Sequence, residues 1–383
     1  MAIAGDYGRY FSANRRMVLV PCCVLFLHIL GLLILSSASL SFEGSNYLLR
    51  QCLWLAAALP AGAIALAFPL RRLEGRGKIF YALAAVLLVA VLIPGVGRAV
   101  NGSRRWLSLG MVHFQVSEFA KLALVLFLAD HLAGLRDRAR HPWHGFALPC
   151  LWIAALAGLI LLEPDYGAAA LFLLVGLALL FLNGVPLRPL LLCAALACLL
   201  LAIFIARNPV RLSRILSFLD VESTRQTGSY QLWQGMVGLQ SGGWWGLGLG
   251  NGRQQLFYLP EAHTDFIFPV LAEELGFAMA LAVLAAFFII FFLLWMEIYR
   301  IPSPFLFLLA MGMLLFLILQ AAINLAVVMG LLPTKGMALP LISYGGSNLV
   351  LVYTFLGLLL NCLRTAFFWK EREETDGNFS QEP

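Results

Sequence analysis

The chain has 383 residues, of which 61% are apolar and only 12% are charged, and its mean hydropathy is +0.88. A soluble domain needs more charged residues than this to cover its surface. The composition therefore excludes a soluble protein and indicates a polytopic membrane protein. The net charge of +6 does not indicate a nucleic-acid partner, because most Lys and Arg residues fall in terminal segments and short loops on one side of the predicted membrane.

Apolar runs of membrane-spanning length follow one another along the chain. A spanning helix needs about 20 apolar residues at a rise of about 1.5 Å per residue. The runs are continuously apolar rather than alternating, which excludes transmembrane strands. The sequence therefore predicts an all-α polytopic membrane protein with ten transmembrane helices. The runs lie near 17–39, 51–69, 79–97, 115–134, 145–162, 167–183, 187–206, 266–294, 304–329 and 348–368.

The distribution of Lys and Arg predicts the orientation of these helices. Short loops rich in both residues stay in the cytoplasm, and their positions indicate that both termini are cytoplasmic. The large loop between helices 7 and 8 is then extracytoplasmic, and its "RLSRILSFLD" stretch has the spacing of a helix lying in the lipid headgroup layer. The predicted parts are a cytoplasmic N-terminal segment 1–16, a membrane domain 17–368 containing the large loop 207–264, and a cytoplasmic tail 369–383 that we expect to be disordered.

The first polar motif in chain order is "NGSRRWLSLG", which places Arg104 and Arg105 on a predicted extracytoplasmic loop. Interfacial anchoring explains the following Trp106 and one arginine. Two arginines are better explained by a phosphate ligand, because a guanidinium group matches phosphate oxygens in a bidentate manner.

The "QVSEFAKLALVLFLAD" run contains Glu118 and Lys121, three residues apart on one face of a predicted span. A lone charge inside a bilayer costs about 2.5–3.5 kcal/mol, so we expect the two side chains to pair or to face water. From these residues alone, a pair that holds the bundle together and a functional pair are equally supported.

The "EPDYG" motif separates two apolar runs and contains Asp165. Asp165 can cap the helix that follows it, because an Asp side chain accepts hydrogen bonds from the first free backbone N–H groups. It could instead reach Lys121 at a similar depth. Capping is the interpretation that the residues favour.

The glycine-rich "GLGLGNG" motif does not indicate a nucleotide cofactor. No strand precedes it, and the Lys of a nucleotide-binding P-loop is missing. Its backbone donors could meet a lipid pyrophosphate, but a mobile connector is the simpler interpretation.

The "YLPEAHTDFIF" motif places Glu261, His263 and Asp265 directly before an apolar run. Thr264 or Asp265 is a good N-cap for a helix that begins at Phe266, so capping is favoured on the residues alone. The alternative is that a carboxylate at the start of this span takes part in catalysis.

Two further acids, Glu273 and Glu274, lie roughly 12 Å deeper than Asp265 along the same predicted helix. Acids at that depth need partners or a wet cavity. Near the end of the chain, the "LPTKGMALPLISYGGS" loop contributes Lys335.

Four stretches follow one another along the chain: "NGSRRWLSLG…QVSEFAK", "EPDYGAA", "GLGLGNGRQQLFYLPEAHTDFIF…LAEELG" and "GLLPTKGMALPLISYGGS". In this order they resemble the SEDS family (shape, elongation, division and sporulation), and the resemblance covers about 17–368. The last two motifs resemble the division branch rather than the elongation branch. The resemblance implies ten helices and peptidoglycan glycosyltransferase activity, in which lipid II is polymerised into glycan strands at the outer face of the bacterial cytoplasmic (inner) membrane. It also implies septal wall synthesis beside a class B penicillin-binding protein, a transpeptidase, and other division proteins.

The resemblance further implies the catalytic acid Asp265 and four supporting residues, Arg105, Glu118, Lys121 and Asp165. The two division-branch motifs add His263 and Lys335 as supporting residues. The product linkage is inverted relative to the donor, so one displacement suffices, with a carboxylate as base. Positive charge for the departing pyrophosphate could come from arginine, lysine or a bound Mg²⁺ or Mn²⁺. The alternatives are a lipid II flippase, an elongation-type polymerase, and a scaffold that only recruits the transpeptidase.

Overall fold

The computed structural model describes residues 2–41, 46–100, 103–109, 112–135, 141–254 and 259–379. Some residues of the predicted motifs and tail lie outside these ranges: Tyr258 of "YLPEAHTDFIF", Asn101, Gly102 and Gly110 of "NGSRRWLSLG", and the last four residues of the tail. The described helices are α1 Ala2–Ala13, α2 Leu19–Ser41, α3 Tyr47–Ala67, α4 Gly77–Leu92, α5 Val116–Ala133, α6 Leu148–Leu162, α7 Tyr166–Leu182, α8 Leu187–Ala206, α9 Pro209–Leu219, α10 Tyr230–Ser241, α11 Ile267–Ile298, α12 Pro304–Val328 and α13 Gly346–Phe379.

Each predicted apolar run overlaps one helix, in the order α2 to α8 and then α11 to α13. Within the described ranges, seven helices are long and apolar enough to cross a bilayer. Helices α4 and α7 are apolar but shorter, and α5 contains the charged residues Glu118, Lys121 and Asp130. The fold is therefore that of a helical membrane protein, whereas the number of spans and the side of the termini remain predictions.

The all-α prediction missed a small antiparallel sheet between α4 and α5. Its strands are β1 Gly97–Val100, β2 Ser103–Leu109 and β3 Val112–Gln115, in the order β1-β2-β3. The run near 79–97 is shorter as a helix than predicted, because α4 ends at Leu92 and the chain turns into β1. Short strands that carry polar and apolar residues on both faces show only weak alternation of hydropathy from one residue to the next. The hydropathy pattern therefore did not reveal these strands.

Two further elements differ from the predicted loops and tail. The helix predicted from "RLSRILSFLD" is confirmed as α9, but α10 in the same loop was not predicted. The tail expected to be disordered continues α13 as a helix to Phe379.

Helices α5 and α12 form the centre of the bundle. Almost the whole circumference of α5 is buried, against α4, α7, α12 and α13. An apolar helix buried on all sides is where polar side chains are most costly, so the charged residues of α5 must be bonded to neighbours.

Helix α11 is broken at Gly276, whose φ of 82° lies in the left-handed region that glycine adopts without steric cost. Part of the large loop, the docking segment 242–254, lies against this break. It replaces the lost intrahelical bonds with Leu247 N–H to Glu273 O (3.0 Å), Gly248 N–H to Glu274 O (3.0 Å), Phe277 N–H to Gly243 O (2.8 Å) and Ala278 N–H to Trp244 O (3.2 Å). The interpretation of this glycine-rich stretch as a mobile connector is therefore wrong.

The docking segment also supplies partners for the deep acids of α11. The Glu273 carboxylate accepts the backbone N–H groups of Arg253 (3.1 Å) and Gln254 (3.0 Å). Ser37 Oγ donates to Glu274 Oε1 at 2.8 Å. The expectation that these acids need partners is confirmed.

Candidate active site

The polar motifs converge where three parts of the chain meet: the turn between α6 and α7, the turn before α11, and the loop 332–345 between α12 and α13. On the predicted topology this is the extracytoplasmic end of the bundle.

Arg105 on β2 is bonded to the α6–α7 turn through its whole guanidinium group. Nε donates to Glu163 O (3.1 Å) and Nη2 to Pro164 O (2.7 Å). Nη1 lies 3.2 Å from Asp165 Oδ2, and the side chains of Arg105 and Asp165 are 24% and 8% exposed. The arginine of the first motif and the acid of the third are therefore one half-buried ion pair.

Asp165 is also the N-cap of α7. Its Oδ1 accepts the backbone N–H of Ala168 at 3.0 Å, which confirms the capping interpretation. The alternative, that Asp165 reaches Lys121, is wrong, because Asp165 pairs with Arg105 and Lys121 pairs with Glu118.

Two more cations lie at the entrance of α7. Arg211 on α9 donates from Nη2 to Pro164 O at 2.7 Å, and its guanidinium carbon lies 3.8 Å from the centre of the Tyr166 ring. The Lys335 side chain lies directly over Gly167, where a Cβ would overlap its terminal atoms. Burial is the main cause that lowers the pKa of Lys335, to about 8.

Glu163, in the same turn, is fully buried. Neither of its carboxyl oxygens has a hydrogen-bond partner among the described residues. Burial, with the neighbouring Asp165 carboxylate, raises the pKa of Glu163 to about 8, although Arg105 opposes the shift. At neutral pH this side chain is therefore mostly an uncharged carboxylic acid.

Asp265 does not cap α11. The helix begins at Ile267, its N-cap position is Phe266, and no side-chain cap bond forms there, so the capping interpretation is wrong. Its carboxylate is half-buried and approaches Gly336, where a Cβ would lie 2.7 Å from Asp265 Oδ2. In the described part of the chain, no hydrogen bond to this carboxylate is formed.

The surroundings of Asp265 favour its protonated form. Burial, first, and the carboxylates of Glu261 and Asp165 raise the pKa of Asp265 to about 7, while Arg105 acts in the opposite direction. Asp265 therefore titrates near neutral pH, and its carboxyl group approaches Gly336, the residue that follows Lys335.

A buried polar network lies beneath this site. Lys121 Nζ donates to Glu118 Oε1 (2.7 Å) and to Gln320 Oε1 (2.8 Å), so the predicted pair is confirmed. Asn348 Nδ2 donates to Glu118 Oε2 at 3.1 Å. Gln320 Nε2 donates to Ala338 O at 2.8 Å, which ties the network to the loop that carries Lys335.

His263 stabilises the turn before α11. Its ring stacks on Tyr47 at 4.1 Å between centroids, and its carbonyl accepts the N–H of Tyr344 at 3.0 Å. Burial lowers the pKa of His263, which keeps the ring neutral at pH 7. Its part in the reaction remains a prediction.

Five residues of this region were not predicted from the sequence: Glu163, Arg211, Gln320, Asn324 and Asn348. Asn324 Nδ2 donates to the carbonyls of Asp265 (2.8 Å) and Met337 (2.6 Å), so it joins the two loops. Gln320 and Asn324 are amides four residues apart on one face of an apolar helix, and this spacing was a signal that could have revealed them.

The FtsW/RodA/SpoVE family model, described as cell cycle protein, matches residues 17–366. Proteins named "Probable peptidoglycan glycosyltransferase FtsW" include one from Thioalkalivibrio sp. (strain K90mix), 41% identical over 90% of this chain and 89% of that protein. Another, from Coxiella burnetii, is 40% identical over 89% of this chain and 94% of that protein.

Solved structures with the same fold include a chain described under "Structural coordination of polymerization and crosslinking by a peptidoglycan synthase complex". Its TM-score is 0.76 at 32% identity, over 91% of this chain and 97% of that one. The rod shape determining protein RodA of Thermus thermophilus has a TM-score of 0.69 at 31% identity, over 91% and 96% of the two chains. The resemblance inferred from the motifs is thereby confirmed, and the chain belongs to the FtsW/RodA/SpoVE family of cell cycle proteins.

Proposed function

We propose that this protein is a division-type peptidoglycan glycosyltransferase that polymerises lipid II into β-1,4 glycan strands at the outer face of the bacterial cytoplasmic membrane. The names of the FtsW relatives support the activity. The observation that carries the chemistry is Asp265: a half-buried carboxylate with a pKa near 7 and no capping role, close to a cluster of cations.

The reaction needs one proton acceptor and one inverting displacement. Asp265 takes the proton of the acceptor sugar's 4-hydroxyl group while that oxygen bonds to the anomeric carbon of the donor. The bond from this carbon to the pyrophosphate oxygen breaks, and undecaprenyl pyrophosphate leaves with the electron pair. A base is most effective when its pKa lies near the working pH, which supports Asp265 in this role.

Positive charge is needed where the pyrophosphate leaves. The candidate cations are Lys335, the neighbour of Gly336, which Asp265 approaches, and Arg105, whose charge acts on Asp265. Glu118 and Lys121 hold the loop 332–345 from below, because their bonds run through Gln320. Asp165 orients Arg105, and His263 fixes the turn that carries the base.

We include a divalent cation, Mg²⁺ or Mn²⁺, in the proposal. Within the described ranges, no three His, Cys, Asp or Glu side chains group as a metal site. One carboxylate together with substrate phosphate oxygens is sufficient for Mg²⁺, so the ion would be held mainly by the pyrophosphate and would leave Asp265 available as the base. Such an ion would neutralise charge on the pyrophosphate.

The membrane arrangement and the partners follow the same proposal. Ten spans with both termini in the cytoplasm would put Asp265 at the outer face, within the membrane domain 17–368. A class B penicillin-binding protein would crosslink the new strand at the division septum. The similarity to a chain of a peptidoglycan synthase complex supports a partner of this kind.

The experiment is polymerisation of labelled lipid II by the purified protein with its transpeptidase partner, with the glycan product resolved on a gel. Asp265→Asn should reduce the rate by about 10²–10⁴-fold, because an amide keeps the size but cannot accept the proton. Glu222→Gln, which changes an exposed acid of the large loop 207–264, is the control and should polymerise normally. Near-normal product from Asp265→Asn would contradict the proposal.

A lipid II flippase remains the second candidate from the sequence. A translocation path would use the acids and the lysine inside the bundle. In the structure, Glu118 and Lys121 bond to each other and to amides, and Glu273 bonds to the docking segment. These bonds favour the polymerase, and product in the gel assay would decide for it.

A further inference from the structure

Helix α9 of the large loop carries two arginines that differ in their environment. Arg211 is half-buried and points to the α6–α7 turn, where it bonds to Pro164 O and covers the Tyr166 ring. Arg214, one turn further along the same helix, is exposed. The helix thus presents one cation to the site and one to its outer side.

The carbonyl of Pro164 accepts a hydrogen bond from both Arg211 and Arg105, each at 2.7 Å. Two guanidinium groups therefore meet at one neutral oxygen. A carbonyl carries no full charge, so it is a weaker partner for two cations than an oxyanion would be.

The charges around this point do not balance. Arg105, Arg211 and Lys335 come from three separate segments, and among the described residues Arg105 alone of the three forms an ion pair, with Asp165. The carboxyl group of the adjacent Glu163 has no hydrogen-bond partner among the described residues, and its pKa is raised. The positive end of the α7 dipole adds to the excess, so the site is prepared for an anion with several oxygens.

We propose that Arg211 is a substrate-binding residue that, with Arg105 and Lys335, holds the pyrophosphate of the lipid-linked donor. The inference rests on the proposed function for the identity of that donor. Pyrophosphate fits better than a carboxylate, because it offers enough oxygens for two guanidinium groups and an ammonium group at once. The amphipathic helix α9 then brings a cation from the membrane surface to the headgroup.

The kinetic test compares Arg211→Gln and Arg211→Lys with Arg214→Gln as the matched control on the same helix. Polymerisation rate is measured against lipid II concentration, with the transpeptidase partner present. Loss of a charge-assisted contact should raise KM about tenfold in Arg211→Gln while kcat changes less than about threefold. Arg211→Lys should be intermediate, and Arg214→Gln unchanged. An unchanged KM in Arg211→Gln, with or without a lower kcat, would mean that the residue only anchors α9 and would overturn the inference.

A binding test separates this inference from the proposed function. Undecaprenyl pyrophosphate in detergent should raise the Tm of the wild-type protein, and this increase should be largely lost in Arg211→Gln but kept in Arg214→Gln. Undecaprenyl monophosphate and free inorganic pyrophosphate, as separate additions, show whether the diphosphate and the lipid are both required. If the wild type forms no glycan, the proposed function fails, while the Tm comparison still decides on Arg211. An equal increase of the Tm in the wild type and in both variants would refute the inference about Arg211.

Discussion

The buried pair of Glu118 and Lys121 allows the effect on folding to be separated from the effect on activity. Both side chains are almost completely buried and lie 2.7 Å apart. Removing one partner of a buried ion pair leaves an uncompensated charge and costs about 3–5 kcal/mol. Lys121→Met and Glu118→Gln should therefore each lower the Tm and the amount of protein in the membrane.

The pair Glu297 and Arg300 is a matched control, because its residues are also three positions apart, where α11 ends. Its atoms lie 3.1 Å apart, and the Arg300 side chain is 64% exposed. Exposed pairs contribute about 0–1 kcal/mol, so Arg300→Gln should change the Tm little.

The charge swap Glu118→Lys with Lys121→Glu should restore most of the stability but not the activity. The ion pair persists, but Gln320 must turn its amide to donate to the new carboxylate. It then loses its bond to Ala338 O, at a cost of about 0.5–1.5 kcal/mol, and with it the tether of the loop that carries Lys335.

The measurements are the membrane abundance of tagged protein, thermal unfolding in detergent, and polymerisation at matched protein amounts. A wild-type Tm in both single variants would refute the assigned cost of the buried charge. Wild-type polymerisation by the swapped protein would refute the role of Gln320 as a tether.

Two further predictions concern Asp265 and the break in α11. The pKa of Asp265 is raised to about 7 and the ionised form is the base, so kcat/KM should rise with pH through about 7. One pH unit below this pKa, kcat/KM should be roughly tenfold lower than its value at high pH. A flat profile between pH 5.5 and 8 would contradict this role. Gly276→Ala should lower the Tm, because a left-handed φ costs a residue with a Cβ about 1–2 kcal/mol and the Cβ would overlap the backbone of Gly246. Gly158→Ala in α6, where a Cβ meets open space, should be neutral or stabilising, and equal effects of the two substitutions would exclude strain as the cause.

Local properties of the chain were predicted well from the sequence. A helix in lipid satisfies its backbone hydrogen bonds within its own segment, so each apolar run could be recognised without knowledge of its neighbours. The pairing of Glu118 with Lys121 and the capping of α7 by Asp165 were also predicted, because each depends on residues three positions apart.

Contacts between distant parts of the chain were decided by the tertiary structure. Asp265 satisfies the local rule for an N-cap, yet its carboxylate lies beside Gly336, more than 70 residues later in the chain. The glycine-rich stretch looked like a free connector because the carbonyl and N–H groups that it binds belong to the broken helix α11. No local pattern records which segment will fill such a break. The sequence therefore determined which residues carry charge and where the helices run. Tertiary packing decided which distant charged groups lie in contact, because those contacts form between segments far apart in the chain.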